Sequence, residues 1–426
     1  MKLTRYKELG EEVWQERLYN GLQVIVIPKR RFSLTFAMLA VRCGSSDLAF
    51  SLDGARSQYP PGLAHFLEHM LFYMPYGQAE DAFAANGAFA NAVTGESTTT
   101  YYFHCSERFE QNLAVLLDFV TTPYFQPESV EKERSIIARE IRMGEDQPER
   151  RVYRNLMQAL YEHHPIRDSM GTVESIAGVT PAMLEAYYRA FYTPENMVLC
   201  VSGNVEPETV RRVAMESFHA KSTGLLLRDY GEAEGPLPGR VRAEESMAVS
   251  QPLFRFGAKL FLPGEGHERA RERLVGDMAC ELLAGGSSPL FERLYSEGLV
   301  DTGFYGGVSD FLLGAYVVFG GESKDPAAVL ERVSEEAAAL AESGGEALFE
   351  RLKRARLGSF IRVMDDVDSL CQLGARGYFR GCPFFEEREL LLSVTMEDVR
   401  AFLREKLALE RIALSVVRPK ETVKGA

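Results

Sequence analysis

The sequence predicts an α+β protein made of two homologous halves, each a layered sheet and helices, and three observations carry this. The chain has 426 residues, enough for two domains of ordinary size. Two segments about half a chain apart run in step without a gap: Val179/Val394, Thr180/Thr395, Ala186/Ala401, Tyr187/Phe402 and Arg189/Arg404, then Glu195/Glu410, Leu199/Leu414 and Val201/Val416. An unbroken register of that kind reads as duplication. Strands and helices also share each half without the strict alternation of a doubly wound parallel sheet.

Taken in order, Leu22-Gln-Val-Ile-Val-Ile-Pro28 and Leu34–Val41 are strands, being rich in residues that fit a pleated surface. Gly62–Phe72 has few helix breakers and reads as a helix. Ala88–Cys105 is β-rich, with Thr98–Phe103 its clearest segment. Leu113–Thr121 and Pro127–Met143 are helical. In each duplicated segment a Thr caps an amphipathic helix and an alternating apolar strand closes the unit. The stretch from Lys221 to Glu245 holds Gly231, Gly235, Pro236, Pro238 and Gly239 among mixed charges, with no sustained period. It divides the chain into a first half at 1–222, a linker at 223–243 and a second half at 244–426.

Hydrophobic residues at 46% and charged residues at 26% are ordinary for a soluble globular protein. Nothing approaches the ~18 consecutive apolar residues of a membrane span, and the basic start has no apolar core for a secretory signal. The six cysteines are far apart with no Cys-x-x-Cys, which fits reduced thiols and a cytoplasmic location. The net charge of −13 gives no basic face for nucleic acid. Neither nucleic acid nor membrane is expected as a partner.

The chemistry lies in Gly62-Leu-Ala-His65-Phe-Leu-Glu68-His69-Met-Leu-Phe. Histidines at i and i+4 share one helical face, so both imidazoles reach one metal ion. Glu68, three residues after His65, stands beside that ion and holds a water without being a ligand. Zinc takes two imidazoles and a carboxylate and leaves a position open for water. A third ligand is then required, and Glu131, Glu133, Glu140 and Glu145 are the candidates. Glu133 and Glu140 are seven apart and share one face of the helix, about 10 Å along its axis. Spacing leaves the choice among these carboxylates open. Gly285-Gly-Ser-Ser lacks the Lys of a phosphate loop, so no nucleotide site is expected.

With His65-Phe-Leu-Glu-His69 and Glu133-Arg-Ser-Ile-Ile-Ala-Arg-Glu140, the sequence resembles the pitrilysin, or insulinase-like, family of inverted-motif zinc peptidases. Asn91-Ala-Val-Thr, Thr99 with Tyr101-Tyr102, Gly171-Thr-Val-Glu-Ser-Ile and Tyr192-Thr-Pro-Glu-Asn-Met-Val-Leu match as well. The resemblance implies two α+β halves facing across a chamber and one Zn2+ per chain, held by His65, His69 and Glu140. It implies Glu68 as general base, Glu133 as a supporting carboxylate, and Asn91 and Ala92 on the edge strand that receives a peptide substrate. Strand addition reads shape more than sequence, so specificity is expected to be loose. The function expected is zinc-dependent endopeptidase; the alternative is a non-catalytic or weakly active core or assembly subunit. All four metal-centre positions are intact, which favours the enzyme.

The second half departs from the family. Active members often carry an Arg and a Tyr in a segment shaped like Leu-Phe-x-x-Leu-Arg-x-x-x-Gly-Leu-Ala-Tyr. Here Leu290-Phe-Glu-Arg-Leu-Tyr-Ser-Glu-Gly-Leu-Val-Asp301 puts Tyr295 and Asp301 at those places, with Arg293 and Tyr305 out of register. The resemblance then implies a heterodimer with a homologous subunit that lacks the zinc motif and supplies the pair, a homodimer in isolation being the alternative.

Overall fold

A computed structural model describes residues 1–163, 169–262, 264–311 and 314–420. By contact these form two compact units that interleave along the chain. One gathers Met1–Ile141, 169–230 and Phe360–Phe385; the other gathers 142–163, Gly231–Ser359 and 386–420.

The first unit has strands β1 (Lys2–Tyr6), β2 (Glu11–Arg17), β3 (Gln23–Pro28), β4 (Thr35–Val41), β5 (Ala49–Leu52), β6 (Ala55–Gln58), β7 (Tyr73–Met74), β8 (Gly77–Gln78), β9 (Phe89–Thr94), β10 (Thr99–Cys105), β11 (Met197–Gly203) and β12 (Leu226–Arg228). Its main sheet runs β1-β2-β3-β11-β4-β10-β9, with β11 parallel to β3 and the other neighbours antiparallel. β4 and β11 are buried at every position because both faces of the sheet are covered. On one face Val24, Leu39, Tyr101 and Val201 pack with Phe66, Leu67, Leu117 and Phe119 of the helices. On the other, Ile27, Phe36, Met38 and Cys200 meet Leu370, Cys371 and Ala375 of the helix Val367–Arg380. That helix comes from near the end of the chain.

The second unit has β13 (Arg242–Met247), β14 (Leu253–Leu260), β15 (Tyr305–Phe311), β16 (Gly314–Glu322) and β17 (Ile412–Pro419), in the order β13-β17-β14-β16-β15. β13 and β17 are parallel and the remaining pairs antiparallel. This repeats β3-β11-β4-β10-β9 step for step, with the parallel pair in the same place. The two halves are homologous α+β units. Here too one sheet face is covered by a helix from the other half of the sequence: Leu156, Met157 and Leu160 of Pro148–Leu160 pack with Tyr316, Val318 and Ala413.

The strands read at Leu22–Pro28 and Leu34–Val41 are β3 and β4, and Ala88–Cys105 resolves into β9 and β10. Thr180 and Thr395 cap their helices, accepting from the amides of Met183 and Asp398. The stretch 223–243, expected to be irregular, contains β12 and the start of β13. β12 is ordered because β5 offers it an open edge. Arg228 also donates to Asp47 at 2.9 Å, as does the Tyr230 hydroxyl at 3.0 Å. All six cysteines are buried and none forms a disulfide. Among the described residues, no helix is long and apolar enough to cross a membrane.

Candidate metal centre

The motif forms the helix Leu63–Leu71. Gly62 starts it with φ 91°, a left-handed conformation that favours glycine. A Cβ there would stand 2.4 Å from the Met170 carbonyl oxygen, so the helix begins where only glycine fits. Seven of the nine helix residues are buried, and the two that are not are His65 and His69. Helical spacing thus turns an apolar segment into a buried rod with two imidazoles at its open face.

His65 Nε2 and His69 Nε2 face each other at 3.2 Å. Glu140 Oε2 lies 3.6 Å from His69 Nε2. One donor atom from each of His65, His69 and Glu140 falls within 4.8 Å of the others, and no other such group of metal-binding type occurs among the described residues. Of the four candidate carboxylates, Glu131 is exposed and paired with Arg134, and Glu145 is exposed. Glu133 and Glu140 both reach the motif, from the helix Pro127–Glu145, which Ile137 and Ile141 anchor in the core.

These two meet opposite sides of one ring. Glu133 Oε1 is 2.8 Å from His69 Nδ1, and its Oε2 accepts from the Tyr73 hydroxyl at 2.8 Å. Burial would raise the Glu133 pKa, but the hydrogen bonds from His69 and Tyr73 outweigh it and hold the carboxyl below its ordinary value. An ionised Glu133 only accepts, so Nδ1 of His69 carries a proton and Nε2 is the ring atom turned toward His65 and Glu140. Burial would lower the His69 pKa, but its bond to Glu133 and the surrounding carboxylates raise it. Tyr73 is pushed up to about 12, first by burial and then by Glu133, so it remains a donor.

Glu68 is buried, and its carboxylate accepts from the Thr94 hydroxyl of β9. Burial raises its pKa, with the Thr94 hydrogen bond acting against the shift. Asn91 and Ala92 lie on β9, an edge strand of the sheet, where the Asn91 side chain accepts from the Ala92 amide at 2.8 Å. Asn91 is exposed and Ala92 buried, as strand alternation requires. Thus Glu133 is bonded to the histidine group, while Glu68, on the same helix as the histidines, is joined through Thr94 to the strand carrying Asn91 and Ala92. Tyr73 and Thr94 were not named from the sequence. Tyr73 lies past the end of the helix, in β7, so no periodicity of the motif points to it; Thr94 ends the matched Asn91-Ala-Val-Thr segment.

In the second unit, Arg293 is paired with Glu336 and Tyr295 is exposed. Asp301 accepts from the Gly303 amide at 2.8 Å, and the Arg255 guanidinium lies 5.9 Å from the centroid of the Tyr305 ring.

The family described as Insulinase (Peptidase family M16) matches residues 54–172, and the one described as Peptidase M16 inactive domain matches residues 178–356. The chain is 32% identical to the uncharacterized zinc protease YmfH of Bacillus subtilis over 433 residues, covering 99% of this chain and 100% of that one. It is 29% identical to the uncharacterized zinc protease ML0855 of Mycobacterium leprae, over 96% and 92% of the two chains. An M16-like peptidase from Alicyclobacillus acidocaldarius superposes with a TM-score of 0.92 at 33% identity, over 96% of this chain and 99% of that chain. Pitrilysin, at a TM-score of 0.77 and 17% identity over 100% of this chain and 47% of its own, shares the fold.

Proposed function

The chain belongs to the insulinase family of peptidases, family M16, and from that premise we propose that it is a zinc-dependent endopeptidase acting on peptides or small unfolded proteins. The observation that carries the reading is the convergence of His65, His69 and Glu140 beside the buried Glu68. Two imidazole nitrogens and one carboxylate oxygen are a donor set that fits zinc with a position left open. His65, His69 and Glu140 would hold one ion per chain. When bound, the ion would supply Lewis acidity there.

The chain's own groups do the rest. Glu133 orients His69 and keeps its Nε2 available. Asn91 and Ala92 offer the backbone of β9 to an extended peptide, which adds to the edge as a further strand. Glu68 takes a proton from the attacking water and passes it to the leaving amine; a carboxyl raised by burial is suited to both steps. The test is Glu68→Gln in the purified, zinc-loaded chain. Bound zinc should be retained and hydrolysis of a mixed peptide library lost; normal turnover, or loss of the metal, would overturn the assignment.

A second reading concerns assembly. Tyr295 and Asp301 stand where active relatives often place an Arg and a Tyr, and Arg293 is engaged by Glu336. On that ground we read the chain as the zinc subunit of a heterodimer whose homologous partner supplies those donors.

A further inference from the structure

Glu68 has 7% of its surface exposed, and a carboxylate buried to that degree needs hydrogen-bond donors. The donor the structure gives it is Thr94, whose hydroxyl donates to Glu68 Oε2. A hydroxyl has one proton to give. Thr99 Oγ1, 3.4 Å away, spends its own on the Cys43 carbonyl at 2.9 Å, which leaves the Thr94 proton to Glu68. Thr94 is also the last residue of β9, the strand at the edge of the sheet. Asn91 and Ala92 lie three and two residues before it. Glu68, for its part, lies outside the converging group of His65, His69 and Glu140.

We propose that Thr94 is a positioning residue of the hydrolytic centre. It ties the Glu68 carboxylate to the strand that receives the peptide, and holds it away from the metal ligands so that it acts as a base. The proposal rests on the zinc endopeptidase reading and deepens it. One residue then couples two requirements: a peptide added to β9 is placed in register with the carboxylate that takes the water proton. The same tether accounts for a Glu between two ligand histidines that does not itself converge with them.

The test uses the full chain with Thr94→Val, which keeps the shape and removes the hydroxyl, and Thr94→Ser, which keeps the hydroxyl. Thr94→Ala is a second hydroxyl-free variant should the valine not fold. Two measurements are made: turnover of the zinc-loaded protein on a mixed peptide library, and the visible absorption spectrum of the cobalt-loaded protein. Loss of an outer partner of this kind costs about 10–100-fold. Accordingly kcat should fall by about that factor in Thr94→Val, with KM and zinc content unchanged. The cobalt spectrum of Thr94→Val should differ from wild type as Glu68 is released toward the metal. Thr94→Ser should restore both. Wild-type turnover and an unchanged cobalt spectrum in the hydroxyl-free variants would overturn the proposal, as would a Thr94→Ser as impaired as Thr94→Val. A wild-type chain that loads metal yet cleaves no peptide would sink the endopeptidase reading, while the cobalt spectra would still decide the role of Thr94.

Discussion

Glu133 and Glu140 are alike in type and seven residues apart on one helix, yet they face different nitrogens of His69. That difference predicts different losses. His65→Ala, His69→Ala and Glu140→Gln should each lower zinc occupancy sharply, because each removes a donor atom of the converging group. Glu133→Gln should keep most of the zinc and lose about 10–100-fold in activity, since it acts on the ring and not on the ion. Tyr73→Phe removes the donor to the far oxygen of Glu133 and leaves the ring under Lys132, 5.6 Å away, in place. It should weaken zinc binding by less than Glu133→Gln does. Elemental analysis and chelator competition on this series check the order; zinc loss in Glu133→Gln with none in Glu140→Gln would swap the two roles. In the sequence, four carboxylates were open and Tyr73 was invisible. Helical spacing says which residues share a face but not which of them meets a second helix.

At the scale of the element, the duplicated helix–strand segments are secured by their first residue. Thr395 accepts from the Asp398 amide, and Asp398 accepts in return from the Thr395 amide and hydroxyl. Thr395→Ala should cost about 1 kcal/mol and Thr180→Ala a similar amount, read by denaturant unfolding. Burial alone would raise the Asp398 pKa, but the Thr395 donors and Arg271 lower it. A depressed carboxylate stabilises the fold above its ordinary pKa and loses that contribution as the pH falls through the lower folded value. Asp398→Asn should therefore be less stable than wild type near neutrality, with the gap closing in acid. A gap that stays constant down to strong acid would refute the linkage. These caps were legible in the sequence because capping is local chemistry. β12 was not, since its order depends on an edge offered by a hairpin far back in the chain.

For the molecule as a whole, metal and folding should be linked. A ligand that binds the native state alone stabilises it by about 4 kcal/mol at a thousandfold excess over Kd. Chelation should then lower the unfolding temperature of the wild type and leave His65→Ala unmoved; equal responses would place the stabilising metal elsewhere. Assembly is tested by mixing the chain with a homologous subunit that carries the Arg/Tyr pair and lacks the zinc motif. Losing one donor to a developing oxyanion costs about 10²–10³ in turnover. Activation of at least tenfold, abolished when the partner's pair is removed, is expected. Full activity of the lone chain, unaffected by the partner, would remove the heterodimer.

The sequence by itself determined the α+β class, the duplication, the metal motif and its bordering strands. These rest on periodicity, capping and side-chain type, which act over one or two turns of chain. Only the tertiary structure decided which carboxylates reach His69, that Tyr73 and Thr94 donate to the two glutamates, and that each of the two main sheets is covered by a helix from the other half of the sequence. Pro148–Leu160 and Val367–Arg380 have the amphipathic pattern of any covering helix. Such a pattern says that an apolar face will be buried but carries no address for the sheet that buries it, because hydrophobic burial is non-directional.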